Sequence, residues 1–198
     1  MNTIEEFMDS LEKSIEELFG ETHIKSGVIR SLPGNLGVTA ANVIFEAAME
    51  EGFNPENPYP VLHFHVTLAK DIEDSIVSKV LEGLNELNTT ISAGSFPGFG
   101  CFGYYPPLRQ VYLSYRMPIN PDALDKDFDN VLYYLGTLYE QLDIFVDFVL
   151  FLCDDPEKIS LKDYMNYLDS IADLNNMEER INELEKRFEE LEKETKDV

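Results

Sequence analysis

With 198 residues the chain is long enough for one domain with a sizeable core plus an appendage. Hydrophobic residues at 44% and aromatic residues at 12% describe an ordered globular protein rather than a disordered acidic one. The net charge of −23 repels phosphate backbones and anionic lipid, so neither nucleic acid nor membrane is expected as a partner.

A helix is predicted from Thr3 and Glu6, a capping-box pair, to Gly20, with Ile4, Phe7, Met8, Leu11, Ile15, Leu18 and Phe19 on one stripe. The other face is filled by Glu5, Glu6, Asp9, Glu12, Glu16 and Glu17. His23–Arg30 reads as one short strand, and Pro33-Gly34-Asn35 as a turn. Residues 39–51 fit either a short helix, which the alanines favour, or a strand alternating as Val43, Phe45, Ala47 and Met49; strand is the reading adopted. A loop at Phe53–Tyr59 leads into a clear strand, in which Leu62, Phe64, Val66 and Leu68 alternate with Val61, His63, His65 and Thr67. Asp71 is expected to cap a second helix with the stripe Ile72, Ile76, Val80, Leu81, Leu84 and Leu87. A Gly- and aromatic-rich hairpin follows, with strands at Phe99–Tyr105 and Val111–Met117 around Pro106-Pro107. Asn120-Pro121 opens a long helix that becomes apolar nearly all round at Ile144, Phe148 and Phe151, so its end should be buried on two sides. Asp154-Asp155-Pro156 stops it, and a last helix runs from Ser160 to about Glu194. The predicted fold is α+β, α-β-β-β-α-β-β-α, an antiparallel sheet with helices on one face, plus a long C-terminal helix. Two domains are expected, residues 1–155 and the heptad-bearing helix at 156–198. Acidic and basic side chains number 25 and 8 over residues 1–156, and 13 and 7 over the rest, so the acidity lies mostly on the first. Its expected role is solubility.

The run Leu84-Asn85-Glu86-Leu87-Asn88, followed by Gly94-Ser95-Phe96 and the hairpin, resembles the YbjN-type branch of the type III secretion chaperone-like fold. The element order over residues 3–152 is similar to that fold as well; the final helix is not part of it. The resemblance implies an antiparallel sheet with helices on one face, frequent homodimers, acidic surfaces and the binding of partner polypeptides in extended form. It implies no catalytic residue.

The only cysteines, Cys101 and Cys153, make no disulfide framework and are expected as free thiols. The N-terminal segment lacks a basic region followed by an apolar run. The most apolar stretch, Ile144–Cys153, is about half the length needed to span a bilayer, and Asp147 interrupts it. A cytoplasmic protein is expected. His63 and His65 lie two apart on a strand, on one face and about 7 Å apart. They could offer two imidazoles to a metal, but no third ligand is evident locally, so histidines facing solvent or a partner are preferred. No nucleophilic constellation is legible along the chain. Glycines 98, 100 and 103, interleaved with Phe96, Phe99, Phe102, Tyr104 and Tyr105, fit a bent or bulged strand better than a phosphate loop. The same aromatics are candidate partner-binding residues, if the strand lies at a sheet edge and accepts an extended peptide; core packing is the competing role. Leu174, Ile181 and Phe188, with Met177, Leu184 and Leu191, fall at a and d positions of about three heptads and are candidate oligomerisation residues. Parallel pairing would set Arg180 against Glu185 and Arg187 against Glu192 and is favoured by those charges, against the alternative of a helix folded back on its domain. A non-enzymatic, cofactor-free, homodimeric binding module, chaperone-like or adaptor, is the functional expectation. A scaffold component recruiting a different protein through its last helix is the second, and a metal enzyme at His63 and His65 the third.

Overall fold

The structure, a computed structural model, describes residues 1, 3–52, 59–94 and 98–171. The chain divides into two compact units, Met1–Ile159 and Ser160–Val198. The first unit runs α1 (Ile4–Phe19), β1 (Thr22–Lys25), β2 (Val28–Ser31), β3 (Ile44–Glu50), β4 (Val61–Ala69), α2 (Val77–Ser92), β5 (Cys101–Tyr105), β6 (Gln110–Pro118) and α3 (Leu124–Asp154). Single 3-10 turns at Pro106–Leu108 and Pro121–Ala123 precede β6 and α3. In the second unit Ser160 accepts from the Asp163 N–H, and residues 161–171 are helical, α4. The heptad positions Leu174, Met177, Ile181, Leu184, Phe188 and Leu191 lie outside the described residues.

The strands form one antiparallel sheet in the order β1-β2-β3-β4-β6-β5. The fold is α+β, with helices and strands following one another as predicted, and residues 44–50 are strand. One predicted strand is two. His23–Arg30 folds back on itself at Ser26-Gly27, both at positive φ (54° and 76°), which closes a two-residue hairpin with Lys25 opposite Val28. That turn needs left-handed backbone at both central residues, which glycine takes freely and serine does not. The second helix also starts later than predicted. Asp71 sits at φ 58° and the Ile72 N–H donates to the Arg109 carbonyl, so Ile72 is a buried anchor ahead of the helix.

α1 and α3 pack with the sheet on the side where the period-2 apolar residues point. Phe7, Leu11, Ile15 and Phe19 form the buried stripe of α1; Phe19 meets Phe45 of β3 at 4.8 Å and Phe7 meets Phe128 of α3 at 5.4 Å. Phe45, Ala47, Leu62, Phe64, Val66, Leu113 and Phe102 bring the sheet's apolar positions to the same side, all nearly or fully buried. α2 lies along β5 at the sheet edge and reaches α3, where a Cβ on Gly83 would strike Leu152 at 2.7 Å. The far end of α3 is enclosed: Phe145, Val146, Asp147, Phe148 and Val149 are all buried, as the all-round apolar pattern predicted, whereas Phe151 is 43% exposed.

Asp147 is the polar member of that run and is 1% exposed. Its carboxylate accepts from the N–H of Val38 (2.6 Å), the N–H of Thr39 (3.3 Å) and the Thr39 hydroxyl, while Asp143 accepts from the Gly37 N–H (2.8 Å). The loop between β2 and β3 is thus pinned to α3 by carboxylates. Gly37 (φ +65°) comes so close that a Cβ there would lie 2.5 Å from Asp147.

Candidate functional site

Antiparallel pairing puts every second side chain of each strand on one face. Four such rows cross the sheet on the side away from α1, α2 and α3. One row runs His23–Arg30–Glu46–His65–Ser114–Cys101 across all six strands. The next runs Lys25–Val28–Ala48–His63–Arg116. They are flanked by Ile44–Thr67–Tyr112–Gly103 on one side and Glu50–Val61 on the other. The strand positions of this face hold all three histidines of the chain. They also hold three of the eight basic side chains of residues 1–156 and only two of their 25 acidic ones, Glu46 and Glu50.

Both of those acids are neutralised within the face. Arg30 Nε donates to Glu46 Oε1 at 2.5 Å. Glu50 Oε1 lies 2.8 Å from His63 Nδ1, and Glu50 Oε2 3.4 Å from Arg116 Nε. The other imidazole nitrogen, His63 Nε2, is 2.9 Å from Ser114 Oγ. A carboxylate only accepts, so the neutral imidazole carries its N–H on Nδ1, donating to Glu50, which leaves Nε2 as acceptor of the Ser114 hydroxyl proton. The three residues come from β6, β4 and β3 and form a serine–imidazole–carboxylate relay, with the Arg116 guanidinium 3.5 Å from Nδ1.

Beside Ser114 opens a pocket of about 410 Å³, lined by His63, His65, Tyr105, Gln110, Tyr112, Ser114 and Arg116. No acid among the described residues lines it. Tyr112 stacks on His65, ring centroids 5.1 Å apart and 28° between planes. Gly103 makes room for that ring, since a Cβ there would lie 2.7 Å from the Tyr112 hydroxyl end. Burial first, and repulsion from His63 whenever that imidazole is protonated, hold His65 below the ordinary histidine value of 6.5; Glu46 pulls it up and Arg116 presses it down. At neutral pH the His65 imidazole is therefore uncharged.

The predicted site residues are dispersed. Phe96 lies outside the described residues. Phe102 is 2% exposed and belongs to the core. Phe99 packs with Tyr134 at 4.6 Å and Tyr115 at 5.7 Å, on the helix side of the sheet. Burial, together with Tyr134, raises the Tyr115 phenol above its usual 10.0. Tyr104 is partly covered, and Tyr105 alone opens into the pocket. β5 is an edge strand, but the edge is occupied at its centre: the Asn88 side chain donates to the Phe102 carbonyl (2.8 Å) and accepts from the Phe102 N–H (2.9 Å). These are the groups an added strand would use. Gly100, at φ 84° and against the Ser114 carbonyl, accounts for the bent entry into β5.

His63 and His65 share a face with ring centroids 5.7 Å apart. Both nitrogens of His63 are already engaged, and among the described residues no group of three or more His, Cys, Asp or Glu is placed to hold a metal ion. Ser114, Glu50, Arg116 and Tyr112 were not singled out by the sequence. The single available hint was the matching alternation of β4 and β6, which cannot give their register. Compared with protein-family models and with curated proteins, the chain matches none. No described helix is long and apolar enough to cross a membrane.

Proposed function

We propose that this protein is a polypeptide-docking module, chaperone-like or adaptor, working as a homodimer, and that the open sheet face is its docking surface. The observation that carries the reading is the charge segregation. In a chain of −23 the open face holds three of the eight cations of residues 1–156 and two paired acids, while α1 alone exposes Glu5, Glu6, Asp9, Glu16 and Glu17. A partner chain can lie on that face without meeting the carboxylates that hold other surfaces apart. The antiparallel sheet with helices on one face, which the YbjN-type resemblance implies, supports it.

The two sheet edges also differ. β5 is capped by Asn88, whereas β1 borders a groove of about 510 Å³ lined by Glu21, His23, Lys25, Arg30, Ser31, Leu32 and Ile44. The hairpin geometry turns the Ile24 N–H and carbonyl away from β2, toward an added strand. Site-specific photocrosslinking in cells of the source organism tests this. Benzoylphenylalanine at Tyr112 or Lys25 should capture a partner polypeptide or the second subunit, and at Glu16 it should not. Equal capture at all three positions, or none, refutes the reading. Sedimentation at micromolar concentration tests the homodimer.

A further inference from the structure

The relay on the open face does not need a docking role, and its atoms are arranged for chemistry. Ser114 Oγ is 2.9 Å from His63 Nε2, and His63 Nδ1 is 2.8 Å from Glu50 Oε1. That is the connectivity of nucleophile, base and orienting acid. The tautomer is the productive one, because Glu50 holds the proton on Nδ1 and leaves Nε2 to receive another. His63 is largely shielded, its side chain 14% exposed, while the pocket beside Ser114 is open and is lined by no acid among the described residues. We propose that Ser114 is a nucleophile for acyl transfer, with His63 as its general base, Glu50 as a positioning residue, and small activated acyl esters as the substrate class.

In the first step Ser114 Oγ bonds to the acyl carbon as its proton passes to His63 Nε2. The carbonyl electron pair moves onto oxygen, then returns as the bond to the leaving oxygen breaks, and the leaving group takes the proton from His63. Water repeats the sequence against the acyl-serine and regenerates the hydroxyl. An ester and water suffice.

The geometry also limits the substrate. β6 lies between β4 and β5, so its main-chain N–H groups are committed to two ladders and do not form an oxyanion hole. Arg116, Gln110 and Tyr112 line the same pocket and are the side-chain donors at hand. Side-chain donors on an open face are less preorganised than main-chain ones, so the leaving group must be good: an aryl ester or another activated acyl donor, not an alkyl ester or amide. Tyr105, Tyr112 and His65 offer flat surfaces to an aryl group. Cys101, exposed and directly across from Ser114, and the uncharged His65 imidazole in the same pocket are neighbouring groups able to imitate the reaction.

The full-length protein is treated with a fluorophosphonate probe and the adduct is located by peptide mass spectrometry, alongside p-nitrophenyl acetate turnover. The expected result is a single adduct on Ser114, retained in Cys101→Ser and lost in Ser114→Ala. His63→Ala should slow labelling by about a hundredfold or more, and added imidazole should restore part of the rate. Glu50→Gln should slow it and Glu50→Asp recover part. Ser114→Cys guards against a folding artefact: it keeps a nucleophile at the site and should alkylate faster with His63 present than with His63→Ala. An adduct on any other residue, no adduct, or equal labelling of wild type and His63→Ala overturns the proposal. Photocrosslinking at Tyr112 reads the docking function separately, so one can fail while the other stands.

Discussion

Replacing Asp147 with alanine removes a buried carboxylate that receives three hydrogen bonds from Val38 and Thr39. Bonds to a charged acceptor contribute about 1.5–3 kcal/mol each; the 3.3 Å contact from the Thr39 N–H belongs at the bottom of that range. The gross loss is then about 5 kcal/mol or more. Two effects offset it. Val38 and Thr39 are exposed on their outer side, so water can reach the abandoned donors. Deleting the carboxylate also relieves the cost of holding a charge 1% exposed among Phe145, Phe148 and Val149. A net destabilisation of about 3 kcal/mol remains, which at this chain length lowers Tm by about 6–12 °C. The asparagine variant should lose most of the same amount, since one acceptor becomes an NH2 facing N–H donors. Thermal and urea unfolding followed by circular dichroism measure the loss. Amide exchange localises it: Val38 and Thr39 should exchange faster, while Gly37, held by Asp143, changes least. A change under about 0.5 kcal/mol, or unaltered exchange at Val38 and Thr39, would refute the pinning role.

Other consequences are as direct. Gly37→Ala should destabilise by about 2 kcal/mol, because a Cβ is strained at φ +65° and meets the Asp147 carboxylate; an unchanged melt would contradict the close approach. Asn88→Ala should cost about 1–3 kcal/mol and raise the tendency to aggregate, by leaving the Phe102 N–H and carbonyl unpaired on an edge; light scattering on heating reads the second effect. Burial pushes the Cys153 thiol up to about 12 from 9.0, so at pH 8 its thiolate is about a thousandfold scarcer than that of an ordinary cysteine. One equivalent of iodoacetamide should react quickly, at Cys101, and the second only on unfolding. The raised value also means that ionisation above pH 9 favours the unfolded chain, so stability should decline as pH rises from 9 toward 12. Residues 1–159 expressed alone should melt cooperatively, since the sheet and α1–α3 all lie within them; a molten fragment would refute this.

Periodicity and end signals determined the elements. The 3.6-residue stripe of Phe7, Leu11, Ile15 and Phe19 and the Thr3 cap fix α1 without reference to anything else, and the Glu6 N–H does donate to Thr3 Oγ1. The alternation of β4 says which residues face the helices, and hence that His63 and His65 face away. The Ser26-Gly27 hairpin escaped because its strands are four residues each, too short for alternation to separate a reversal from a continuous run. Ile72 escaped for a different reason: its partner, the Arg109 carbonyl, is 37 residues away. The relay belongs to the same class. Glu50, His63 and Ser114 stand on β3, β4 and β6, and nothing local relates them. Sequence alone fixes the face each of them occupies, because that depends only on the alternation within its own strand. Which atoms meet depends on register between strands, and register is set by long-range pairing: Glu46 opposite His65, His65 opposite Ser114, and the irregularity at Thr67/Ala69 that ends it. A slip of one residue would send Ser114 to the core, and a slip of two would carry its hydroxyl past His63. Only the folded sheet decides that they touch.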